Sequence, residues 1–313
     1  MSAITFPKTL QEAIVTFADK EVAWQFAVQL RWPDGAICPF CGSKEHSFLS
    51  TRKTWQCKGC GKQFSVKKGS IFEDSPLGFD KWLTAMWLIA NAKNGISSYE
   101  LHRTLGITQK SAWFVNHRIR LAMRNGTFEK LSGDVEADET GIGGLSENMH
   151  KVVRDRKITG RGSVDKTTVA GLLQRDGKIV VRVINNRTAK TLQSLVRFHV
   201  VPGSNLHTDA FLSYEGLSQW YTHAIVDHSV QYVRDNVNTN GLENFWSLLK
   251  RTMRGTYVSV EPFHLHRYLD EYSFRFNSRK DNDGVRFLAL ATQTAGKRLT
   301  YQKLIGAVGA TGN

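Results

Sequence analysis

Apolar residues recur at helical intervals through the first third of the chain. Over residues 10–31 they fall at Ala13 and Phe17, then at Ala23, Trp24, Ala27 and Val28. That spacing predicts two helices, with Asp19 capping the second. Trp32-Pro33-Asp34-Gly35 reads as a turn. Three short strand-like runs follow (FLSTR, TWQCK, KQFSV), and then an apolar helix from Phe79 that ends at Gly95. Ser97 or Ser98 can cap a short helix, YELHRTL; Gly106 breaks it, and Thr108 caps a longer one, QKSAWFVNHRIRLAM. Helix, glycine turn and helix of these lengths predict a helix-turn-helix, with a plain helical hairpin as the alternative. Gln109, Lys110, Ser111, Trp113 and His117 are the polar and aromatic residues that would reach a groove.

From about residue 133 the pattern changes to alternation. In GDVEADETGIGG, Val135 and Ala137 face one way and Glu136 and Asp138 the other, as in a strand. KVVRDRKITGRGSVDK is polar and basic and predicts a mobile loop. Two β-rich runs flank Arg175-Asp176-Gly177, a hairpin signal. Then come a helix capped by Thr188, a strand ending at Asp209, a helix over AFLSYEGLSQW, a strand over HAIVDH, and helices over NTNGLENFWSLLKRTM and HLHRYLDEYSFRFNSR. This order is that of a ribonuclease H-like α/β domain, retroviral-integrase-like, built on a five-stranded mixed sheet. The domain divisions that follow are 1–72 (helical segment and short strands), 73–130 (helix-turn-helix), 131–285 (the α/β domain) and 286–313 (C-terminal tail, ending in a frayed GAVGATGN).

Charge adds a partner. The net charge is +14, and both halves are basic: residues 1–130 carry 18 Lys/Arg against 10 Asp/Glu, and residues 131–313 carry 24 against 18. That balance points to polyanions, meaning nucleic acid or, less often, an anionic membrane. An apolar fraction of 41% with 11% aromatics builds real cores and excludes a disordered chain. The N-terminus has no signal-peptide pattern, and no apolar run is long enough to span a bilayer. The expectation is a cytoplasmic, nucleoid-associated protein with no membrane partner.

The chain has four cysteines, in two C-x-x-C pairs: Cys38/Cys41 and Cys57/Cys60, with fifteen residues between the pairs. A reduced compartment disfavours disulfides, and the spacing is that of a structural Zn²⁺ ribbon. Gly42 and Gly61 follow the second cysteine of each pair, where the turn can need a positive φ.

The predicted fold puts three acids at sites of known chemistry. Asp138 lies on the first strand of the domain, Asp209 ends the fourth, and Glu243 lies on the helix after the fifth. Carboxylates in that arrangement bind two Mg²⁺ or Mn²⁺ ions for phosphodiester chemistry. Glu136 shares the Asp138 face and is a candidate supporting group, whereas Glu139 should point away. Trp246 reads as core, and His207 and His228 read as structural or as supports to a ligand, not as metal ligands themselves.

The motifs CPFCG…CKGCGKQFS, VEADETGIGG, HTDAF, NTNGLENFWSLLKR and YLDEYSFRFNSR cover roughly residues 20–280. With them the chain resembles the bacterial insertion-sequence transposases that carry an N-terminal zinc ribbon and an acidic-triad (DDE-type) catalytic domain. The resemblance implies that Asp138, Asp209 and Glu243 are the triad. It also implies that Lys250, seven residues after Glu243 and on the same helix face, positions the terminal DNA phosphate. Some relatives use Asn in the triad, so Asn240 and Asn244 stand as rivals to Glu243. Gly141 replaces an aromatic often found after Asp-Glu-Thr. Arg251 and Arg254 are candidate phosphate contacts, and Arg275 and Arg279 are offered to DNA by the last helix.

The expected activity is transposition. The protein would bind terminal inverted repeats, cleave strands and transfer them to target DNA, as a homodimer or higher oligomer. The rivals are a zinc-ribbon regulator with an inactive catalytic domain and a structure-selective nuclease of the same fold.

Overall fold

The structure is a computed structural model and describes residues 6–124, 129–144, 150–152, 155, 166–209, 211–226 and 239–307. The chain divides into two compact units: Met1–Arg124 with Ser278–Asn313, and Asn125–Asn277.

In the first unit, α1 (Leu10–Ala18) and α2 (Lys20–Arg31) meet at Asp19, whose carboxylate accepts from the N–H groups of Glu21 and Val22. The ribbon is a three-stranded antiparallel sheet of β1 (His46–Leu49), β2 (Thr54–Cys57) and β3 (Gln63–Phe64). Trp55 of β2 stacks on Phe64 and meets Trp32 edge-on, so aromatic rings do the packing that so small a sheet cannot. α3 (Phe79–Asn91) buries Trp82, Met86 and Trp87. α4 (Ser98–Leu105) is capped by Ser97 and ends at Gly106 with φ +62°; α5 (Gln109–Met123) starts at the Thr108 cap.

The segment after residue 277 departs from the expected tail. α9 (Asp283–Thr292) buries Phe287 against Phe17, Phe26 and Trp87 of the first unit. A short α10 (Tyr301–Leu304) follows. Arg118 of α5, only 4% exposed, donates to the carbonyls of Ile71, Glu73 and Leu299 and ties the returning segment in. Residues 308–313, which include most of GAVGATGN, lie outside the described residues.

The second unit is a five-stranded mixed sheet. Its strands are β4 (Asp134–Ile142), β5 (Thr167–Gln174), β6 (Ile179–Val183), β7 (Asn205–Asp209) and β8 (Thr222–Val226). Their order is β6-β5-β4-β7-β8, antiparallel from β4 through β6 and parallel from β4 through β8. This is the ribonuclease H-like arrangement. Strand alternation splits the core in two. Val135, Ala137, Leu172 and Leu206 pack under α6 (Ala189–His199), while Val169, Leu173 and Val181 pack under α7 (Asn240–Thr252) and α8 (Leu265–Asn277). The helix expected over AFLSYEGLSQW is instead two 3₁₀ turns, Leu212–Tyr214 and Leu217–Gln219, parted by Gly216 at φ +87°. Most of the basic loop before β5, and His228, lie outside the described residues.

Candidate active site and zinc centre

The ribbon's two C-x-x-C turns close through Gly42 N–H to Cys38 O (2.9 Å) and Gly61 N–H to Cys57 O (3.1 Å), with φ of +76° and +69° at the glycines. All four sulfurs lie within 4.8 Å of one another; Cys38–Cys60 and Cys41–Cys57 are 3.7 and 3.5 Å apart, and none is in a disulfide. Zn–S bonds of ~2.3 Å in a tetrahedron put sulfurs ~3.8 Å apart, so the set fits zinc. The Cys60 backbone N–H aimed at the Cys57 sulfur holds that thiol below its ordinary value, while hydrogen bonding with Cys57 pushes the neighbouring Cys41 thiol up.

In the second unit the β4–β7 register pairs Ala137 with Thr208, and one step on it sets Asp138 beside Asp209. Both side chains then project from the face that α7 covers. α7 carries Glu243 in its first turn and Lys250 in its last. Burial pushes the Asp138 carboxyl above its ordinary value, and the charges of Asp209 and Glu243 add to the rise. Two donors oppose it: Trp246 Nε1 to Asp138 Oδ2 at 2.9 Å and Glu139 N to Asp138 Oδ1 at 2.7 Å. Asp209 accepts from Phe211 N (3.2 Å), and exposed Glu243 accepts from the Thr239 hydroxyl (3.3 Å).

Asp209 and Glu243 are thus both in electrostatic reach of Asp138. Their oxygens are not gathered as tightly as the sulfurs, which among the described residues are the one such close set. Two cations ~3.5–4 Å apart require their carboxylates spread more widely than one tetrahedral ion does. Hard oxygen donors of this kind suit Mg²⁺ or Mn²⁺. The neighbouring Asn240 and Asn244 side chains are exposed.

Lys250 is half-buried. Desolvation, then the charges of Lys166 and Arg254, pull its pKa below the ordinary lysine value, while Asp138 opposes them. Ser247, Lys250, Arg251, Arg254 and Gly255 line one open hollow, with Arg251 and Arg254 exposed. Arg254 sits on a π-helical turn, Met253–Tyr257, that extends α7. Such turns are frequent at functional sites.

Several residues carry more than the sequence showed. Trp246 is core, at 4% exposed, yet its N–H orients Asp138. The signal for this was present, since Trp246 lies three residues after Glu243 and four before Lys250 on the same helix face. Glu139 does lie on the opposite face of β4, where it accepts from buried Tyr214 at 2.8 Å. Desolvation raises its pKa, and the charges of Asp209 and Asp138 contribute. His207 is buried, with its Nε2 3.0 Å from Asp134 Oδ1.

Two expected DNA contacts need correction. His117 is 0% exposed and packs edge-on against Trp113, because α5 buries every residue from Val115 to Arg120. Arg275 is buried and ion-paired with Glu271. Of the remaining groove candidates, Lys110 is exposed, Trp113 is half-buried, and Gln109 donates to Ser98 Oγ at 2.9 Å.

Residues 130–277 match the ISXO2-like transposase domain, and residues 18–63 match the transposase zinc-ribbon domain. The chain is similar to a transposase-like protein of Haemophilus influenzae, 30% identical over 112 residues that make up 36% of this chain and 90% of that one. The chain belongs to the ISXO2-like transposases. A protein of the transposable element ISH50 from Halobacterium salinarum is 26% identical over 275 residues, 84% of this chain and 92% of its own length. As a transposase the protein is a DNA-recombining enzyme, and its zinc-ribbon and transposase domains imply DNA as partner. Among the described residues no helix is long and apolar enough to cross a membrane.

Proposed function

We propose that the transposase binds the terminal inverted repeats of its own element and carries out metal-dependent cleavage and strand transfer at Asp138, Asp209 and Glu243. The observation that carries this reading is the Asp138 carboxylate. Burial raises its pKa, the charges of the other two acids add to the rise, and the Trp246 and Glu139 N–H groups fix its oxygens. Three acids held against mutual repulsion are a cation site in waiting.

Divalent cations bound there supply Lewis acidity at the attacking and leaving oxygens of a phosphodiester. The chain's own residues do the rest. Trp246 and the Glu139 amide keep both Asp138 oxygens in place, and the Phe211 amide does the same for Asp209. Lys250, with Arg251 and Arg254, holds the scissile strand through its phosphates. Water opens the 3′ end of the element, and the freed 3′-OH then attacks target DNA. The zinc ribbon and the exposed Lys110 side of α5 hold the repeat; phosphate contacts give affinity and base contacts give sequence choice. Joining two ends requires two active sites, so the working form is a homodimer or larger assembly in the nucleoid.

The test is cleavage of a labelled duplex ending in the element's own repeat, with Mg²⁺ or Mn²⁺. The wild type cuts at the repeat end, and Asp209→Asn binds without cutting. Repeat binding by wild type with no cleavage under either metal would sink the enzymatic reading in favour of a DNA-binding regulator. The same assay with Glu243→Gln and Asn244→Ala decides the third ligand: cleavage is lost with the first and kept with the second.

A further inference from the structure

We propose that Glu136, held by Arg175, is a positioning residue that sets α7 against β4 and thereby Glu243 against Asp138. The inference rests on the acidic site being where metal is bound. Glu136 lies two residues before Asp138 on the same face of β4 and is 2% exposed, against the apolar side chains of Leu173 and Leu242. A carboxylate in such a place is costly unless its oxygens are satisfied. Oε1 accepts from Arg175 Nε at 3.1 Å, and Oε2 accepts from the backbone N–H of Leu242 at 2.9 Å. The Arg175 backbone is itself tied to β4 by its N–H to Asp134 O at 2.9 Å.

Leu242 lies in the first turn of α7, where N–H groups lack helical partners and the helix end carries partial positive charge. The local residue that should cap the helix does not. Thr239 stands at the N-cap without a side-chain cap bond, and its hydroxyl turns instead to Glu243 Oε1. The capping role passes to a carboxylate on a strand 106 residues away in sequence. Gly241 makes room for it. A Cβ there would lie 2.8 Å from Glu136 Oε2 and 2.6 Å from Leu173 Cδ2. The end of α7 is therefore fixed by the sheet, and the next residue after Leu242 is Glu243.

The test titrates Mn²⁺ into zinc-loaded full-length protein, reading free Mn²⁺ by electron paramagnetic resonance, with hydrogen exchange at the start of α7 as a metal-free readout. Glu136→Ala weakens Mn²⁺ binding about tenfold or more and speeds exchange at Leu242. Glu136→Gln, which keeps an acceptor for that N–H, loses less. Leu217→Ala removes buried bulk from the opposite face of the sheet and controls for lost stability alone; it keeps wild-type affinity while folded. Arg175→Gln serves as the second variant if Glu136→Ala does not fold, and it also weakens binding. Wild-type affinity in both Glu136→Ala and Arg175→Gln, or an equal loss in Leu217→Ala, overturns the inference. If wild type binds no more Mn²⁺ than Asp209→Asn, the metal site itself fails and this inference with it; loss in Asp209→Asn beside wild-type behaviour in Glu136→Ala removes the positioning role alone.

Discussion

Gly171→Ala is the sharpest perturbation of the acidic site that touches none of its acids. Gly171 pairs with Asp138 across β4–β5, so its α-carbon faces the same side as the acid. An added Cβ would meet Trp246 Cζ2 at 2.7 Å and Cη2 at 2.8 Å, and Leu242 Cδ2 at 3.0 Å. Ordinary carbon contacts begin near ~3.5 Å, so the indole must withdraw by about 0.8 Å. The ring is hemmed by Phe245, with centroids 5.2 Å apart, and has little room to do so. Overpacking of this kind costs ~1–3 kcal/mol. For a unit of this size that lowers the melting temperature by ~2–12 °C. The shift also stretches the 2.9 Å bond from Trp246 Nε1 to Asp138. Loss of a partner orienting a metal-binding carboxylate costs about 10–100-fold in activity. The assay pairs thermal unfolding with Mg²⁺-dependent cleavage. The double variant Gly171→Ala/Trp246→Phe separates the two effects, because the shorter ring relieves the clash but has no N–H: stability recovers and cleavage does not. Wild-type stability and cleavage in Gly171→Ala would refute the reasoning, and so would full recovery of cleavage in the double variant.

Three further outcomes follow from the same geometry. Chelating zinc from the four-cysteine set abolishes binding to the repeat in a mobility-shift assay, and adding zinc back restores it; binding that survives verified zinc loss contradicts the ribbon's role. Lys250 has a lowered pKa, so its positive charge is lost at lower pH than that of an ordinary lysine as pH rises. Lys250→Arg, which stays charged, moves the alkaline limb of the cleavage profile to higher pH, and an unmoved limb removes Lys250 from that role. Val258 is a β-branched residue at φ +60°, ψ −60° and 79% exposed. Val258→Gly relieves that backbone and stabilises the protein by about 1 kcal/mol in urea unfolding; destabilisation would show that the conformation is not strained.

The α/β alternation after residue 133 was legible because each face of β4 and β5 meets a different core, so the sequence alternates cleanly. The cysteine spacing and the caps at Asp19, Ser97 and Thr108 were legible for the same local reason. What sequence could not carry was contact at a distance. α5 looks polar enough to read a groove, yet Arg118 and His117 are buried, and Arg118 bonds to carbonyls at residues 71, 73 and 299. The return of α9 to the first unit depends on Phe287 finding Phe17, Phe26 and Trp87, which no local pattern announces. At the acidic site the places of Asp138, Asp209 and Glu243 on their strands and helix were legible from the strand order. The groups that hold Asp138 and α7 were not, because Trp246 looks like core and the Glu136–Leu242 bond spans two elements.

The most direct measurement of the central claim is strand transfer. Zinc-loaded protein, duplex ending in the element's repeat, supercoiled target plasmid and Mg²⁺ are combined, and joined product is counted for wild type, Asp138→Asn, Asp209→Asn and Glu243→Gln. Joining by wild type alone, with all three variants still bound to the repeat, is the predicted result. Joined product from any of the three variants at the wild-type level would contradict the acidic site proposed for this transposase.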